Sequence, residues 1–234
     1  MITMALAGAG VLAIWNGIDP EAETDFLDWH VNEHIPERVA VPGFMKARRY
    51  KGPNSWPRYF NFYEVDTWTT LTSKTYLDRL NNPSPWTQRV VRHFRDTFRT
   101  MCSVAISIGQ GDGPYVATYR LQTTTGRDDF ITTIRKTIVD QLVQKPAIVG
   151  VHLLEGQKSA SDGPTAEKAL RSQPDAIADW ILLVESVDEY TLKTIMEGPL
   201  SQVSLAQSGA RFDTTKDVGL YQLQYALTRD QISA

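Results

Sequence analysis

The sequence has 234 residues, of which 42% are hydrophobic and 22% are charged, and its formal net charge is −3. These values are typical of a globular protein and exclude a disordered or fibrous chain. Neither half is basic, since residues 1–112 carry 12 Lys+Arg and 12 Asp+Glu and residues 113–234 carry 12 and 15, so nucleic acid and anionic membranes are not expected partners.

Apolar segments and cysteine content bear on the compartment. No stretch reaches the ~18 apolar residues of a membrane span, and the apolar N-terminal run lacks the Lys or Arg of a signal peptide. We therefore expect a cytoplasmic protein that does not enter a membrane. The single cysteine, Cys102, excludes an internal disulfide and a multi-Cys zinc site, and its apolar neighbours predict a buried thiol.

The first part of the chain predicts the order strand, helix, strand, strand, helix, strand. Apolar or alternating runs predict strands over residues 11–15, 44–50, 58–65 and 102–108. The first helix is predicted to begin near Pro20, because proline is favoured in a first helical turn. It is predicted to end near His34, since the residue before Pro36 avoids the helical region. Two further helical pieces are predicted over residues 69–80 and 85–99.

The same order follows a Gly-rich boundary at residues 110–114. Strands are predicted over residues 115–121, 148–154, 180–186 and 219–227, and helices over 128–143 and 188–196. The polar residues 155–174 are predicted to form a mobile loop. We therefore predict two domains, 1–112 with the candidate site and 113–234 as a degenerate copy. The repeated order β-α-β-β-α-β defines an α+β fold of tandem ferredoxin-like repeats, whose antiparallel sheets cover each other's bare faces.

The strongest candidate for chemistry is a polar cluster on the first helix. At 100° per residue, His30, Glu33 and His34 share the apolar face with Phe26 and Trp29. One interpretation is a set of satisfied polar residues near a helix end. The other is a polar pocket between helix and sheet, in which histidine exchanges a proton near neutral pH.

A comparison of the two halves supports the pocket. When Phe26 is aligned with Phe130, His30 corresponds to Ile134 and His34 to Ile138. The second half therefore has apolar residues where the first has imidazoles, and we expect no equivalent polar cavity there.

The string His30-x-x-Glu33-His34 is also that of an inverted zinc-protease motif. It supplies only two imidazoles at i and i+4, and a third ligand would have to come from elsewhere. We predict no metal.

The glycines at 109, 111 and 113 precede a strand rather than a helix, so they do not form a dinucleotide loop. The expected cofactor is none.

Other residues are candidates for shaping the pocket or holding a substrate. Asn61 and Tyr63 share one strand face with Tyr59, where they either line a pocket or pack in a core. The arginines near the histidines in sequence are candidates for binding an anion: Arg38, Arg48 and Arg49.

Apolar residues at every fourth position from Trp86 to Phe98 predict the core stripe of helix 85–99. The arginines of this helix, including Arg95 and Arg99, are predicted to face solvent.

The segments Trp29–Arg38, Val41–Phe44 and Arg48–Tyr50, with Tyr63–Val65 and Pro83–Trp86, resemble the EthD-like branch of the dimeric α+β barrel superfamily. The resemblance covers about residues 8–109. It implies an α+β barrel of two ferredoxin-like sheets, usually contributed by two chains. We expect this chain to supply both sheets and leave open a homodimer. The superfamily includes isomerases, cyclases, cofactor-free monooxygenases and haem enzymes, and EthD-like members often accompany aromatic or ether catabolism.

The leading hypothesis is a cofactor-independent catabolic enzyme acting on a small apolar, aromatic or carbonyl-bearing substrate. His30 or His34 is the predicted general acid/base, as in a lyase, dehydratase or isomerase. The predicted substrate-binding residues are Trp29, Glu33, Arg38, Arg49, Asn61, Tyr63 and Trp86. Two alternatives remain: a non-catalytic small-molecule binding protein, and a haem- or metal-dependent oxygenase.

Overall fold

The computed structural model describes residues 5–232 and contains a closed antiparallel barrel of eight strands. The strands are β1 (Gly10–Ile18), β2 (Phe44–Lys51), β3 (Tyr59–Val65), β4 (Phe94–Gly109), β5 (Tyr115–Thr123), β6 (Ile148–Gly156), β7 (Trp180–Ser186), β8 (Ala210–Arg211) and β9 (Val218–Thr228). Around the barrel the order is β1-β3-β2-β9-β5-β7-β6-β4, and β4 returns to β1. The short β8 pairs with β5 outside this ring.

Helical segments cover the outside of the barrel. Two π-helical turns, His30–His34 and Arg135–Val139, join α-helices end to end. Short 3₁₀ segments span Pro20–Ala22, Trp68–Thr72 and Arg229–Gln231. The α-helices are α1 (Glu23–Trp29), α2 (Ile35–Val39), α3 (Lys74–Asn81), α4 (Pro85–Val91), α5 (Arg127–Ile134), α6 (Asp140–Leu142), α7 (Lys158–Asp162), α8 (Ala166–Ala169), α9 (Glu189–Glu197) and α10 (Gln202–Gln207).

The predicted fold class is confirmed. The strands before residue 112 have the order β4-β1-β3-β2, and those after it have the equivalent order β9-β5-β7-β6. The two sets join through β2–β9 and β4–β6, so one chain supplies the whole barrel. The division into two domains at residues 112/113 stays a prediction.

Strand alternation separates the barrel interior from the helix-covered face. Val11 and Trp15 point inward, where they pack with Leu183 of β7. Leu12 points outward and packs under the helices of the first half. The buried Cys102 lies in the interior, as predicted, and burial raises the pKa of its thiol.

The sequence predicted that the first helix ends before Pro36, but in the structure it continues past this residue. Its π-helical turn bonds the Ile35 amide to the His30 carbonyl, five residues back. Pro36 then occupies the first turn of α2, where a missing N–H is tolerated. The helical path therefore continues to Val39.

The predicted helix over residues 85–99 is also wrong in its second half. Helix α4 stops at Val91, and β4 begins at Phe94 and pairs with β1. Pairing with a central strand overrides the helical spacing. As a result Phe98 faces the barrel interior, and Arg99 is 3% exposed rather than solvated.

Residues 155–174 are not the open loop that their polarity predicted. They contain α7 and α8, which pack on the first half of the chain. The Met101 amide donates to the Ser161 hydroxyl at 2.9 Å, and the Ala166 amide donates to Asn81 Oδ1 at 3.0 Å.

Within residues 5–232, no helix combines the length and apolar character needed to cross a membrane.

Candidate functional site

The two predicted imidazoles lie side by side beneath the first helix. His30 is 2% exposed and His34 is 6% exposed. Their rings are stacked with centroids 5.4 Å apart, and Trp29 lies 4.3 Å from His34. The π-helical turn carries both residues and presents them together to the sheet.

The sheet supplies a polar surface opposite the histidines. Tyr63 places its hydroxyl 3.4 Å from His30 Nε2. Asn61 donates to Asn16 Oδ1 at 2.8 Å, and its register partner on β2 is Arg49. Burial raises the pKa of Tyr63 well above its usual value, so its hydroxyl stays protonated. The prediction that one face of β3 carries these polar side chains is confirmed by the geometry.

Four guanidiniums are close enough to one or both imidazoles to lower the imidazole pKa: Arg38, Arg49, Arg99 and Arg171. Burial lowers the pKa of His30 well below its usual value, and His34, Arg49 and Arg38 lower it further. Burial likewise lowers the pKa of His34, followed by Arg38, Arg171 and Arg99. Both imidazoles are therefore neutral at physiological pH.

The arginines differ in how their charge is balanced. Arg38 and Arg171 both contact Glu167. Arg49 donates to the Leu27 carbonyl at 3.3 Å, and Arg99 donates to the Tyr76 hydroxyl at 3.0 Å. Across residues 5–232, neither Arg49 nor Arg99 has a carboxylate oxygen within 4 Å. Burial lowers the pKa of Arg49, which fits a charge without a counter-ion.

Several buried polar atoms of this cluster have no hydrogen-bond partner among the described residues. They are His30 Nδ1, His34 Nδ1, Arg49 Nε and Asn61 Oδ1. Buried polar atoms are normally paired, so a group of orphans marks a place for a ligand or water.

The second half of the chain covers the site, which the sequence analysis missed. Glu167 of α8 binds Arg38, and Arg171 pairs with both Glu167 and Asp175. The i, i+4 spacing of Glu167, Arg171 and Asp175 is a helical charge pattern that could have predicted an ordered segment. Its contact with the first half could not be read from spacing.

Three predicted residues are directed elsewhere. Glu33 accepts hydrogen bonds from Trp29 Nε1 and from the Thr87 and Ser84 hydroxyls, not from an imidazole. It ties α1 to α4 because it projects from the helix toward that neighbour. Trp86 donates to Asp25 at 2.8 Å, and so it packs between α4 and α1 rather than beside His30. Arg48 faces the barrel interior, where it pairs with Glu64 and Glu185.

The equivalent position in the second half is apolar. Ile134 and Ile138 are buried in an aliphatic and aromatic core. Thr137, which corresponds to Glu33, bonds to the Thr133 carbonyl and the Ser208 hydroxyl. The contrast between the two halves predicted from the sequence is present in the packing.

Among the described residues, one group has three side chains close enough to share a metal: Asp19, Glu21 and His93. Arg95 already forms an ion pair with Asp19 there. A guanidinium beside the carboxylate disfavours a cation, and the group lies apart from His30 and His34.

Comparisons with known proteins identify the fold. No family model and no curated protein matches this chain. An anthrone oxidase-like protein superposes with a TM-score of 0.61 at 12% identity, covering 96% of this chain and 94% of its own. A candidate monooxygenase from Fusobacterium nucleatum gives 0.56 at 12% identity, covering 95% and 96%. A haem-binding protein from Thermus thermophilus gives 0.54 at 12% identity, covering 93% and 92%.

At these identities the likeness establishes the fold. The chain has the ferredoxin-like α+β barrel fold of these neighbours.

The haem-binding neighbour raises the question whether this site fits a haem. A porphyrin needs an open planar slot beside an axial ligand such as histidine. Here His30 is 2% exposed and His34 is 6% exposed, and the Tyr63 hydroxyl lies 3.4 Å from His30 Nε2, where the iron would have to sit. The residues present therefore do not fit a haem at this place.

Proposed function

We propose that this protein is a small-molecule enzyme that removes a proton from an aromatic or carbonyl-bearing substrate without a cofactor. The observation that carries the proposal is the pairing of two buried neutral imidazoles with two buried guanidiniums that lack carboxylate partners among the described residues. Such a site is a base beside a place for an anion.

Each group has a chemical role in this proposal. The lone pair of an unpartnered Nδ1, on His30 or His34, takes the substrate proton. Arg49 holds the resulting enolate or phenolate, with Arg99 as the second cation without a carboxylate partner among the described residues, and Arg38 adds positive charge although Glu167 pairs with it. Tyr63 and Asn61 supply hydrogen bonds that fix the orientation of a polar substituent, and Trp29 packs against the ring.

This proton transfer is shared by several reaction classes. The anion can be reprotonated elsewhere, as in an isomerase, or can expel a group, as in a lyase or dehydratase. It can also react with dioxygen, which the names of the anthrone oxidase-like and monooxygenase neighbours favour. A catabolic role follows from the resemblance alone.

The first test follows proton removal directly. Anthrone and a panel of aryl ketones are incubated with protein in D₂O, and exchange of the acidic carbon-bound protons is followed by NMR. We expect acceleration over buffer, and a ~10²–10⁴-fold loss for His30→Ala or His34→Ala. His93→Ala is the matched control, because His93 is outside the cluster, and it should keep the full rate. Full exchange in both folded site variants would contradict the proposal.

The second candidate function is non-catalytic binding. The rings of His30, His34 and Trp29, which pack closely together, favour it, because such rings can bind a planar ligand without any proton transfer. It predicts saturable binding of the same panel without accelerated exchange.

A further inference from the structure

A cavity of about 410 Å³ lies at one end of the barrel, apart from the histidine cluster. Its walls come from β4, β5 and the segments around residues 177–179 and 211–217. Phe98 and Arg99 are neighbours on β4, but Phe98 faces this cavity and Arg99 faces the histidines. The main lining residues are Phe98, Arg120, Ile177, Arg211, Phe212 and Asp217.

Arg120 is the buried cation of this cavity. It is 5% exposed, and its guanidinium carbon lies 3.8 Å from the Phe98 ring centroid and 5.1 Å from that of Trp15. Within the described chain its side chain makes one hydrogen bond, to the Lys216 carbonyl. A guanidinium has five N–H donors, so most remain available. Burial lowers the pKa of Arg120, as expected for a charge that is only partly compensated.

The carboxylates in the wall are already engaged. Asp179 pairs with Lys158 at 2.6 Å. Asp213 accepts from the Thr215 amide and hydroxyl. Asp217 accepts from the Asp213 amide at 2.9 Å and lies 3.4 Å from Arg120 Nε. Asp179 and Asp213 therefore satisfy other partners, and Asp217 compensates Arg120 at Nε. The terminal N–H donors of Arg120 that do not bind the Lys216 carbonyl remain for a ligand.

Arg211 adds a second cation at the rim. It is exposed, and it has no carboxylate oxygen within 4 Å in the part of the chain that the structure describes. Phe98 and Phe212 provide aromatic walls beside these two guanidiniums. Aromatic surface combined with cations matches a planar ligand that carries one negative charge.

We propose that this cavity is a second small-molecule site, which binds an aromatic monocarboxylate with its ring against Phe98 and Phe212 and its carboxylate on Arg120 and Arg211. The volume lies within the range of small-molecule pockets, roughly 300–1,000 Å³. The site goes beyond the proposed function, because it opens inside the barrel on the opposite side of β4 from the histidines.

The test uses calorimetric titration of the full chain with 2-naphthoate and, as a neutral match, 2-naphthamide. We expect naphthoate to bind more tightly than the amide. Arg211→Gln should weaken naphthoate binding about five- to tenfold, since it removes one charge-assisted contact at an exposed position. Phe212→Ala should also weaken it, by removing an aromatic wall.

Two controls separate this site from the histidine cluster. Arg135→Gln removes an arginine on the outer face of the second half and should leave affinity unchanged. His34→Ala should also leave it unchanged. Three results would overturn the proposal. They are no naphthoate binding to the folded wild type, wild-type affinity in both Arg211→Gln and Phe212→Ala, or a loss of affinity only in His34→Ala. Arg120 is not substituted, because its burial makes misfolding an expected result.

Discussion

At the scale of single residues, the notable feature is that burial and neighbouring guanidiniums keep His30 and His34 neutral. Burial penalises the charged imidazole, and nearby Arg38 and Arg49 penalise it further. An unfolded chain has no such constraint, and its histidines take up protons near pH 6.5. Protonation is therefore linked to unfolding.

This linkage predicts a stability that depends on pH. Because the folded pKa of each histidine is lowered, their contribution is fully present above about pH 6.5 and is lost as the pH falls below it. The loss should approach about 1.4 kcal/mol per pH unit for each imidazole. Urea unfolding between pH 5 and 8 should show a clearly shallower slope for the double variant His30→Gln, His34→Gln. Identical slopes would show that the histidines titrate normally in the fold.

At the scale of elements, α7, α8 and the residues up to Asp175 form a cover that packs on the first half beside the histidine cluster. Besides the hydrogen bonds at Ser161 and Ala166, a buried carboxylate anchors it: Glu167 contacts Arg38 and Arg171. These side chains are at most 7% exposed. Removing one partner from a buried ion cluster leaves a charge uncompensated, which costs more than losing a surface pair.

We therefore expect Glu167→Gln to destabilise the protein by about 3–5 kcal/mol and to speed proteolytic cleavage within residues 158–175. The matched control is Glu189→Gln, whose ion pair with Lys193 is on the surface, and it should change little. Thermal unfolding and limited proteolysis measure both effects. Equal behaviour of the two variants would mean that Glu167 does not hold the cover.

At the scale of the whole molecule, the barrel interior joins the two halves. Its apolar core includes Trp15 and Phe60 from one half and Leu183 from the other. At the end opposite the Arg120 cavity, Arg48 bridges Glu64 and Glu185 across the barrel. His152 lies 3.3 Å from Glu185. This network links β2 and β3 to β7, and so it couples the halves through charge as well as through the strands.

Glu185 should therefore control acid stability. Burial alone would raise its pKa, but Arg48 and His152 lower the pKa of Glu185 to about 2. A lowered carboxyl pKa contributes stability above about pH 4.5 that is lost as the pH falls toward 2. Glu185→Gln should lower the free energy of unfolding at pH 7 by about 3–5 kcal/mol and flatten its acid dependence. Glu155→Gln, at a partly exposed pair with Arg127, is the control, and urea unfolding at pH 3 to 7 is the measurement.

The sequence by itself determined the order of elements, the alternation of β3 and the shared face of His30 and His34. These features depend on local periodicity, in which side-chain direction repeats every 2 or 3.6 residues. The polar face of β3 and the apolar counterparts Ile134 and Ile138 followed from the same reasoning.

Only the tertiary structure decided where the helices end and which distant groups meet the histidines. Pairing with β1 made residues 94–99 a strand despite helical spacing, and the π-helical turn carried the helix past Pro36. Glu167 comes from the second half, 129 residues along the chain from its partner Arg38, and Glu33 found partners on α4 instead of an imidazole. Such contacts depend on long-range packing and on burial of charge, and neither is encoded in the spacing of neighbouring residues.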